Sequence, residues 1–365
     1  MTARKLRWGI VSTGTIARTL AEALSKVENA ELMAVGSRTL ESARAFAERF
    51  GVQNAHGSYA ALFADPEVDV VYIATPHTSH AALAIEAACA GTHVLCEKPL
   101  AMNQAEVQQV LQAAREHDVF LMEAFMYRCH PQTQKLVELV TSGAIGQVSA
   151  LQASFGFDGE FPAHSRLVAN ALGGGGIMDV GCYPVSMARL LAGAALGQPF
   201  SEPLEVYALG QLSESSHVDE QAVAILKFPG EILATLATSM QLWQENVVRV
   251  FGRKGRLLVR EPWLPARAGG ETEIVIERPG QADEIVRVAA DRPLYAYEIE
   301  AVTAQIEQRE AREMSHLDSL GNARVLDSWR QAIGLTYESD SAAHQAAAPA
   351  PSPTALPSDA PLVAR

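Results

Sequence analysis

Residues 68–99, VDVVYIATPHTSHAALAIEAACAGTHVLCEKP, decide the fold of the amino-terminal part of the chain. They predict a buried strand over 70–74, a loop, a helix that ends at Gly91, and a second strand over 93–96. Two short apolar runs on either side of a helix are typical of a βαβ unit in a parallel sheet, whose ligands bind beyond the carboxyl ends of the strands. Lys98 follows the second strand directly, so we expect its side chain to face a bound ligand.

The segment before this unit carries a variant of the dinucleotide-binding fingerprint. A strand over 7–11 is followed by residues 12–17, STGTIA, and by a helix. Ser12 stands where the first glycine is expected, and Gly14 is the second glycine, which lets the backbone approach a pyrophosphate at the helix amino terminus. Because a strand-to-helix turn with one glycine also occurs without a nucleotide, this turn alone does not establish binding. The predicted cofactor contacts in the turn are Ser12, Thr13, Gly14, Thr15 and Ile16.

The next strand, over 31–36, ends in Ser37 and Arg38. An acidic residue at this point holds the ribose 2′-hydroxyl of NAD, whereas an arginine accommodates the 2′-phosphate of NADP. Ser37 and Arg38 therefore favour NADP, and if Arg38 is instead a solvated surface residue, NAD is used as well. A helix over 103–117 and a strand over 119–123 continue the alternation, which predicts a doubly wound α/β domain.

The pattern changes after residue 124, where a helix is followed by many strands with short turns. This arrangement favours an α+β domain with a mostly antiparallel open sheet. The predicted strands are 148–157, 204–210, 221–228, 232–240, 246–252, 255–259 and 273–277, and helices over 295–309 and 315–333 follow. We predict a dinucleotide-binding domain over 1–124, a substrate-binding and oligomerisation domain over 125–337, and an Ala/Pro/Ser-rich disordered tail over 338–365.

A glycine-rich motif in the second domain, residues 173–184 (GGGGIMDVGCYP), contains Asp179 and Tyr183. Residues four apart lie on one face of a helix, but Pro184 fits best in a first helical turn, so a helix that begins later would lose this register. Two other interpretations stay open: Asp179 caps the helix, and Tyr183 is a half-buried aromatic side chain. Beside Lys98, the pair suits alcohol oxidation, because a nearby ammonium favours phenolate and lowers the pKa of a tyrosine base. Asp179 would orient Lys98 or bind a neighbouring hydroxyl.

Composition limits the partners of the chain. The formal net charge of −13 argues against a nucleic-acid or anionic-membrane partner. The amino end has no apolar signal-peptide region, no run is long enough for a membrane helix, and the four cysteines form no C-x-x-C pair. We expect a cytoplasmic protein with reduced thiols and no metal site.

Five segments together resemble the Gfo/Idh/MocA family of oxidoreductases. They are WGIVSTGTIA, ATPHTSH, AGTHVLCEKP, MEAFMYRCHP and GGGGIMDVGCYP, and the resemblance extends from residue 6 to residue 337. It is strongest to the branch with dimeric dihydrodiol dehydrogenase, NADP-linked D-xylose dehydrogenase and glucose-fructose oxidoreductase. The resemblance implies a Rossmann domain joined to a domain whose open sheet often forms subunit interfaces, and hence a homodimer or homotetramer.

The resemblance also implies roles for individual residues. Lys98, Asp179 and Tyr183 match the catalytic set, with Tyr183 as the acid/base where many members have histidine. His77 stands where asparagine is usual, which leaves its cofactor contact in doubt. Further cofactor contacts are expected at Thr75, His77, His80, Glu97, Lys98 and Arg128. Tyr127 and Phe155 are expected to face a sugar, with a place in the core as the alternative.

The expected function is hydride transfer between NADP and a hydroxyl of a pyranose sugar or related cyclic polyol, with aldose C1 oxidation favoured. A trans-dihydrodiol dehydrogenase and a keto-sugar reductase are alternatives in the same class. Two alternatives belong to other classes: a glycosidase that recycles bound NAD, and a regulatory protein that senses the nucleotide. Arg38 argues against the first, and the presence of Lys98, Asp179 and Tyr183 together argues against the second.

Overall fold

The structure is a computed structural model that describes residues 5–340. The strands of its amino-terminal part are β1 (Leu6–Val11), β2 (Ala30–Gly36), β3 (Asn54–His56), β4 (Val70–Ile73), β5 (His93–Glu97) and β6 (Leu121–Ala124). The helices between them are α1 (Thr15–Leu24), α2 (Leu40–Phe50), α3 (Tyr59–Phe63), α4 (His80–Cys89) and α5 (Gln104–Glu116). The strands form a parallel sheet in the order β3-β2-β1-β4-β5-β6, so the predicted doubly wound unit is confirmed.

Burial and capping explain why these elements form. Every residue of β4 is buried, as expected of a strand covered on both faces. At the start of α2 the Thr39 side chain accepts a hydrogen bond from the Ser42 N–H, and at its end Gly51 takes a left-handed φ of 67°. The side chain of Asn103 caps α5 in the same way, through the Glu106 N–H.

The second part of the chain forms an eight-stranded sheet in which only β7 and β10 pair in parallel among the described strands. The helices in this part are α6 (Met126–Cys129), α7 (Pro131–Thr141), α8 (Cys182–Ala195), α9 (Leu294–Gln305) and α10 (His316–Ala332). The strands are β7 (Val148–Gly156), β8 (Glu205–Leu212), β9 (Asp219–Phe228), β10 (Ile232–Ser239), β11 (Val247–Gly252), β12 (Gly255–Val259), β13 (Gly270–Glu277) and β14 (Glu284–Ala290). Their order is β14-β13-β12-β11-β7-β10-β9-β8, which confirms the mostly antiparallel sheet.

The last two helices return to the first sheet. α9 packs against α1 and α6, and α10 packs against α5 and α8. A boundary at residue 124 therefore separates the two sheets but not the helices that cover them. Glu338 and Asp340 hydrogen-bond to Asn170 and Arg330, so the first residues of the predicted tail are ordered, while 341–365 lie outside the described residues. Within residues 5–340, none of the helices has the length and apolar character needed to cross a membrane.

The strand order places the candidate site. The order reverses between β1 and β4, and ligands of open α/β sheets bind at such a switch point, beyond the carboxyl ends of the strands. Ser12 follows β1, Thr75 follows β4 shortly after its end, and Lys98 follows β5. All three residues therefore lie along the same edge of the sheet.

Candidate active site

The turn after β1 has the features of a phosphate-binding turn. Ser12 has a φ of 105°, a conformation that favours glycine, which accounts for the glycine usual at this point of the fingerprint. Gly14 has an ordinary φ of −71°, and a Cβ added there would meet only the Ser12 Oγ, at 3.6 Å. The described fold therefore does not itself require glycine at 14, and it leaves open space beside the backbone there. That space fits a ligand that approaches the backbone. α1 has no side-chain cap and no acidic residue in its first turn, so its N–H groups suit an anion.

The end of β2 carries one buried and one exposed polar residue. Ser37 is buried, and its N–H donates to the main-chain oxygen of His56 at 3.1 Å. Arg38 is exposed at the same edge of the sheet. Its guanidinium is therefore available to a 2′-phosphate, whereas no acidic side chain follows β2 before residue 41 to hold a ribose hydroxyl.

Lys98 brings the predicted catalytic residues together. Its Nζ donates to the main-chain oxygen of Asp179 at 2.8 Å and lies 3.8 Å from Asp179 Oδ1. The same Nζ lies 5.1 Å from the centre of the Tyr183 ring. Residues from the two parts of the chain therefore meet at the carboxyl end of β5.

A π-helical turn presents Asp179. Residues Ile177–Gly181 form this turn and α8 continues from it, so Pro184 lies in the first turn of α8, where proline is tolerated. π-helical turns are rare and are frequently found at functional sites. The Asp179 carboxylate accepts a hydrogen bond from an arginine side chain rather than from a helix N–H, so the capping interpretation is not supported.

Two buried side chains hold the glycine run 173–176 that precedes the π-helical turn. Asp219 Oδ2 accepts a hydrogen bond from the Ile177 N–H at 2.8 Å, and the Tyr337 hydroxyl donates to the Gly174 oxygen at 2.6 Å. Gly175 has a φ of 111°, and any Cβ there would collide with Asp219 Oδ1. Burial raises the pKa of Asp219 to about 7, although N–H donors of the turn oppose the rise.

Tyr183 is held in an apolar environment. It is 5% exposed, and its hydroxyl lies 3.7 Å from Met126 Sδ. Burial, helped by Tyr295 and Glu97, raises the pKa of Tyr183 well above its ordinary value. The prediction of a lowered pKa for Tyr183 is therefore wrong: burial is the largest influence on this pKa and raises it, while Lys98 Nζ lies over the ring. A phenol that keeps its proton at neutral pH is suited to donate it.

Asp179 is kept as a carboxylate by the cations around it. Burial would raise the pKa of Asp179, but Lys98 and Arg166 hold it below its ordinary value. Nη1 of Arg166 donates to Asp179 Oδ1 at 2.9 Å. Sequence reasoning missed Arg166, which lies in a loop without periodicity. The one available signal was its charge, since residues 161–178 contain no other Lys, Arg, Asp or Glu.

Two predicted cofactor contacts, His80 and Glu97, hydrogen-bond within the protein instead. The ring nitrogens of fully buried His80 lie 2.8 Å from the Pro99 oxygen and 2.9 Å from the Thr75 oxygen. The Glu97 carboxylate accepts hydrogen bonds from the Tyr72 hydroxyl and the Lys98 N–H. Both residues therefore fix the backbone around Lys98, and a cofactor contact at either of them stays a prediction.

His77 and Thr75 lie in the loop after β4. His77 is buried with Nδ1 3.3 Å from the Gly173 oxygen, and burial, together with Lys98, lowers its pKa well below the ordinary value. His77 is therefore neutral beside the site. Thr75 is half-buried and its Oγ1 accepts a hydrogen bond from the Ser79 hydroxyl at 2.8 Å.

Arg128 and Tyr127 do not face the site as predicted. The guanidinium of buried Arg128 donates to Asp318 Oδ2 at 2.6 Å and to Ser186 Oγ at 2.9 Å, which ties α10 to α8. Tyr127 is fully buried and its ring lies 5.6 Å from the Tyr183 ring, so its place is in the core. Phe155 is half-buried, 5.1 Å from the Tyr183 ring, and remains a candidate for substrate contact.

Two family models match the chain. Residues 6–125 match the GFO_IDH_MocA oxidoreductase family with its NAD-binding Rossmann fold, and residues 133–258 match the GFO/IDH/MocA carboxyl-terminal domain. The trans-1,2-dihydrobenzene-1,2-diol dehydrogenase of Danio rerio is 34% identical to this chain, over 92% of the chain and 99% of that protein. The Homo sapiens protein of the same name is 31% identical, with the same coverage.

Solved structures agree with these matches. A 3-ketoreductase from Actinomadura kijaniata, in complex with TDP-benzene and NADP, is 28% identical and superposes with a TM-score of 0.79 over 90% of this chain and 98% of its own. An aldose-aldose oxidoreductase from Caulobacter crescentus shares the fold with a TM-score of 0.80 and 24% identity, over 90% of this chain and 97% of its own. The sequence motifs, the two-sheet fold and these relatives agree: the chain belongs to the Gfo/Idh/MocA family of oxidoreductases.

Proposed function

We propose that this oxidoreductase is an NADP-preferring dehydrogenase of cyclic compounds with neighbouring hydroxyl groups, and that its substrate is a pyranose sugar or a related cyclic polyol. Oxidation of an aldose at C1 is the first candidate reaction. The observation that carries the proposal is the meeting of Lys98, Asp179 and Tyr183 within contact distance. An ammonium, a carboxylate and a neutral phenol together suit a reacting oxygen with a second hydroxyl beside it.

The three side chains have separate roles in the proposed reaction. One of the three Lys98 N–H donors is used by the Asp179 main-chain oxygen, which leaves the others for the reacting oxygen. Tyr183 gives its proton to that oxygen in carbonyl reduction and takes it back in alcohol oxidation. Asp179 binds the neighbouring hydroxyl through its carboxylate. When bound, the nicotinamide takes or supplies the hydride.

The cofactor preference rests on the residues at the end of β2 and in the turn after β1. The exposed Arg38 suits a 2′-phosphate, and the open helix amino terminus at Gly14 suits the pyrophosphate. The 3-ketoreductase structure contains NADP, which supports the same preference. NAD remains the alternative cofactor.

A second candidate substrate is a trans-dihydrodiol of an aromatic ring. The curated relatives from Danio rerio and Homo sapiens carry the name of such a dehydrogenase and match nearly the whole chain. A dihydrodiol offers the same pair of neighbouring hydroxyls as a sugar, but on a flat apolar ring. Phe155, half-buried beside Tyr183, suits such a ring.

We also propose that the chain forms a homo-oligomer through the outer face of the second sheet. Tyr207 and Leu209 of β8, Val223 and Ile225 of β9, and Leu233 of β10 are between 48% and 76% exposed on this face. Their register places them side by side, with Tyr207 opposite Ile225 and Leu209 opposite Val223. A continuous apolar patch of this kind is typical of a protein interface.

The proposal is tested by mixing the purified protein with NADP⁺ or NAD⁺ and a panel of aldoses, inositols and trans-cyclohexadiene diols, and following the absorbance of reduced nicotinamide. A steady rise with NADP⁺ and one compound class supports the proposal and names the substrate. A faster rise with NAD⁺ contradicts the cofactor preference. If nothing rises while the protein binds the nucleotide and releases sugar from glycosides, the recycling glycosidase replaces the dehydrogenase.

A further inference from the structure

The arginine that contacts Asp179 is not explained by the three roles above. Arg166 Nη1 donates to Asp179 Oδ1 at 2.9 Å, whereas Lys98 Nζ lies 3.8 Å from the same oxygen, beyond hydrogen-bond distance. Lys98 donates instead to the Asp179 main-chain oxygen. The carboxylate is therefore hydrogen-bonded to Arg166, whereas Lys98 forms an ion pair with it at the longer distance of 3.8 Å, without a hydrogen bond.

The position of Arg166 is set by the backbone around it. The Gly175 N–H donates to the Leu167 oxygen at 2.8 Å, and the Gly174 N–H donates to the Ala169 oxygen at 3.1 Å. A Cβ at Gly174 would lie 2.7 Å from the Leu167 oxygen, so this close approach requires glycine. The loop with Arg166 and the glycine run before Asp179 therefore form one hydrogen-bonded unit.

Burial differs sharply among the three charged groups. The side chains of Asp179 and Lys98 are 8% and 13% exposed, whereas that of Arg166 is 47% exposed. Arg166 is the outermost member of the cluster and reaches inward with one N–H group. Without it, Lys98 would be the remaining strong cation beside Asp179, and an ammonium so close to a carboxylate forms a direct ion pair.

We propose that Arg166 is a positioning residue: it holds Asp179 through Oδ1 and so keeps Lys98 at 3.8 Å from that oxygen, out of a hydrogen-bonded ion pair with the carboxylate. Lys98 and Asp179 Oδ2 are then left for the two neighbouring oxygens of the substrate. Among the described residues, Oδ2 makes no hydrogen bond, in agreement with this arrangement. The part of the inference that concerns the substrate rests on the proposed function. The hydrogen bond between Arg166 and Asp179 exists without a substrate.

The first test needs no substrate. Lys98 is labelled by reductive methylation in the full-length protein, and its labelling rate is read by peptide mass spectrometry. The rate is compared in the wild type, Arg166→Met, Asp179→Asn and the double variant. Removal of Arg166 also opens the site to the reagent. This effect occurs both with Asp179 and with Asp179→Asn, so it cancels when the four proteins are compared as a double-mutant cycle. Lys227, which pairs with Glu205 elsewhere, serves as the internal control.

We expect Arg166→Met to slow the labelling of Lys98 when Asp179 is present. Compared with the effect of the same substitution in the Asp179→Asn variant, the labelling rate should be lower by about threefold or more. The reason is that Lys98 then pairs with the released carboxylate. Equal effects in the two backgrounds would overturn the proposal, because Arg166 would then act without Asp179. This outcome is independent of whether any compound in the substrate panel is turned over.

The second test uses turnover of the substrate found in the panel. Arg166→Met should lower kcat about 10-fold to 100-fold, and Arg166→Lys should restore part of it. Because the side chain is half-exposed, added guanidinium at tens of millimolar should also restore activity to Arg166→Met, while equal urea or sodium chloride should not. Normal kcat in Arg166→Met, or the absence of any rescue, contradicts the positioning role.

Discussion

No neighbouring side chain can replace the positive charge of the Lys98 ammonium group. Arg166 and His77 are the other basic groups near Asp179, and His77 is neutral because burial and Lys98 lower its pKa. We expect Lys98→Met to reduce turnover about 100-fold to 1000-fold, the loss typical when a charge-stabilising donor is removed. Dinucleotide affinity, measured by the fluorescence of reduced nicotinamide, should stay close to that of the wild type. Turnover at the wild-type rate would remove Lys98 from the chemistry.

In the proposed reaction, Tyr183 determines how the rate depends on pH. Since its pKa is raised well above the ordinary value, the phenol holds its proton at neutral pH, where it serves reduction, and oxidation should accelerate as pH rises. We expect Tyr183→Phe to lower both rates about 100-fold to 10000-fold and to abolish the rise of oxidation with pH. The measurement is kcat in both directions between about pH 6 and about pH 10. An unchanged profile in the variant would assign the proton transfer to another group.

Arg38 is the residue on which the cofactor preference depends. Charge-assisted hydrogen bonds to a phosphate contribute about 1.5–3 kcal/mol, so Arg38→Ala should lower the ratio of kcat/KM for NADP to that for NAD about 10-fold to 100-fold. Arg49→Ala, an exposed arginine at the other end of α2, is the matched control. A ratio that is the same in both variants would place Arg38 on the solvated surface.

At the scale of the element, the glycine run and its π-helical turn depend on the buried carboxyl group of Asp219. Its folded pKa of about 7 lies above the value of about 3.9 in an unfolded chain, so the folded protein retains a proton that the unfolded chain releases between these values. The stability that this proton contributes is complete at low pH and is lost as pH rises to about 7.

We therefore expect Asp219→Asn to gain stability relative to the wild type as pH rises from about 5 to about 8, by about 2 kcal/mol. The quantity to measure is the free energy of unfolding by urea at both pH values. Asp283→Asn, at an exposed carboxylate, should show no such change. If the difference between Asp219→Asn and the wild type does not vary with pH, Asp219 is ionised throughout this range.

The elements that the sequence predicted share strong local signals. The apolar runs of β4 and β5 lie where they were expected, and so does the capped helix α5. β3 has only three residues and no apolar run, and β14 is a largely exposed edge strand. Both strands form because they pair with neighbouring strands, and neither has a local sequence pattern. Both were absent from the prediction.

The residues of the candidate site also divide into those with a local sequence signal and those without one. Lys98, Asp179 and Tyr183 lie in short motifs that are recognisable from adjacent residues in the sequence. The structure brings these three residues together. Arg166 reaches Asp179 only because hydrogen bonds fold its loop against the glycine run. The inward direction of Arg128 likewise depends on Asp318, far away in the chain. Contacts of this kind are set by tertiary structure and leave no local pattern.

At the scale of the whole molecule, the outer face of the second sheet predicts self-association. Leu209 is 76% exposed on that face, in the edge strand β8, and a charge there would have to be buried without a partner on assembly. We expect Leu209→Arg to convert the oligomer to a monomer in sedimentation analysis. Leu317→Arg, which changes a leucine of similar exposure on α10, should leave the oligomer intact. A monomeric wild type would contradict the proposed interface.

The return of α9 and α10 to the first sheet has a consequence for biosynthesis. A ribosome releases α1 and α5 early, but the helices that cover them are among the last parts of the described chain to be made. During translation the faces that await α9 and α10 stay in contact with water or with chaperones. The part of the chain with the first sheet therefore reaches its finished form only after the part with the second sheet has been synthesised. A nascent chain that stops before residue 294 has neither helix, so we expect it to be recognised as incomplete by the machinery of protein quality control.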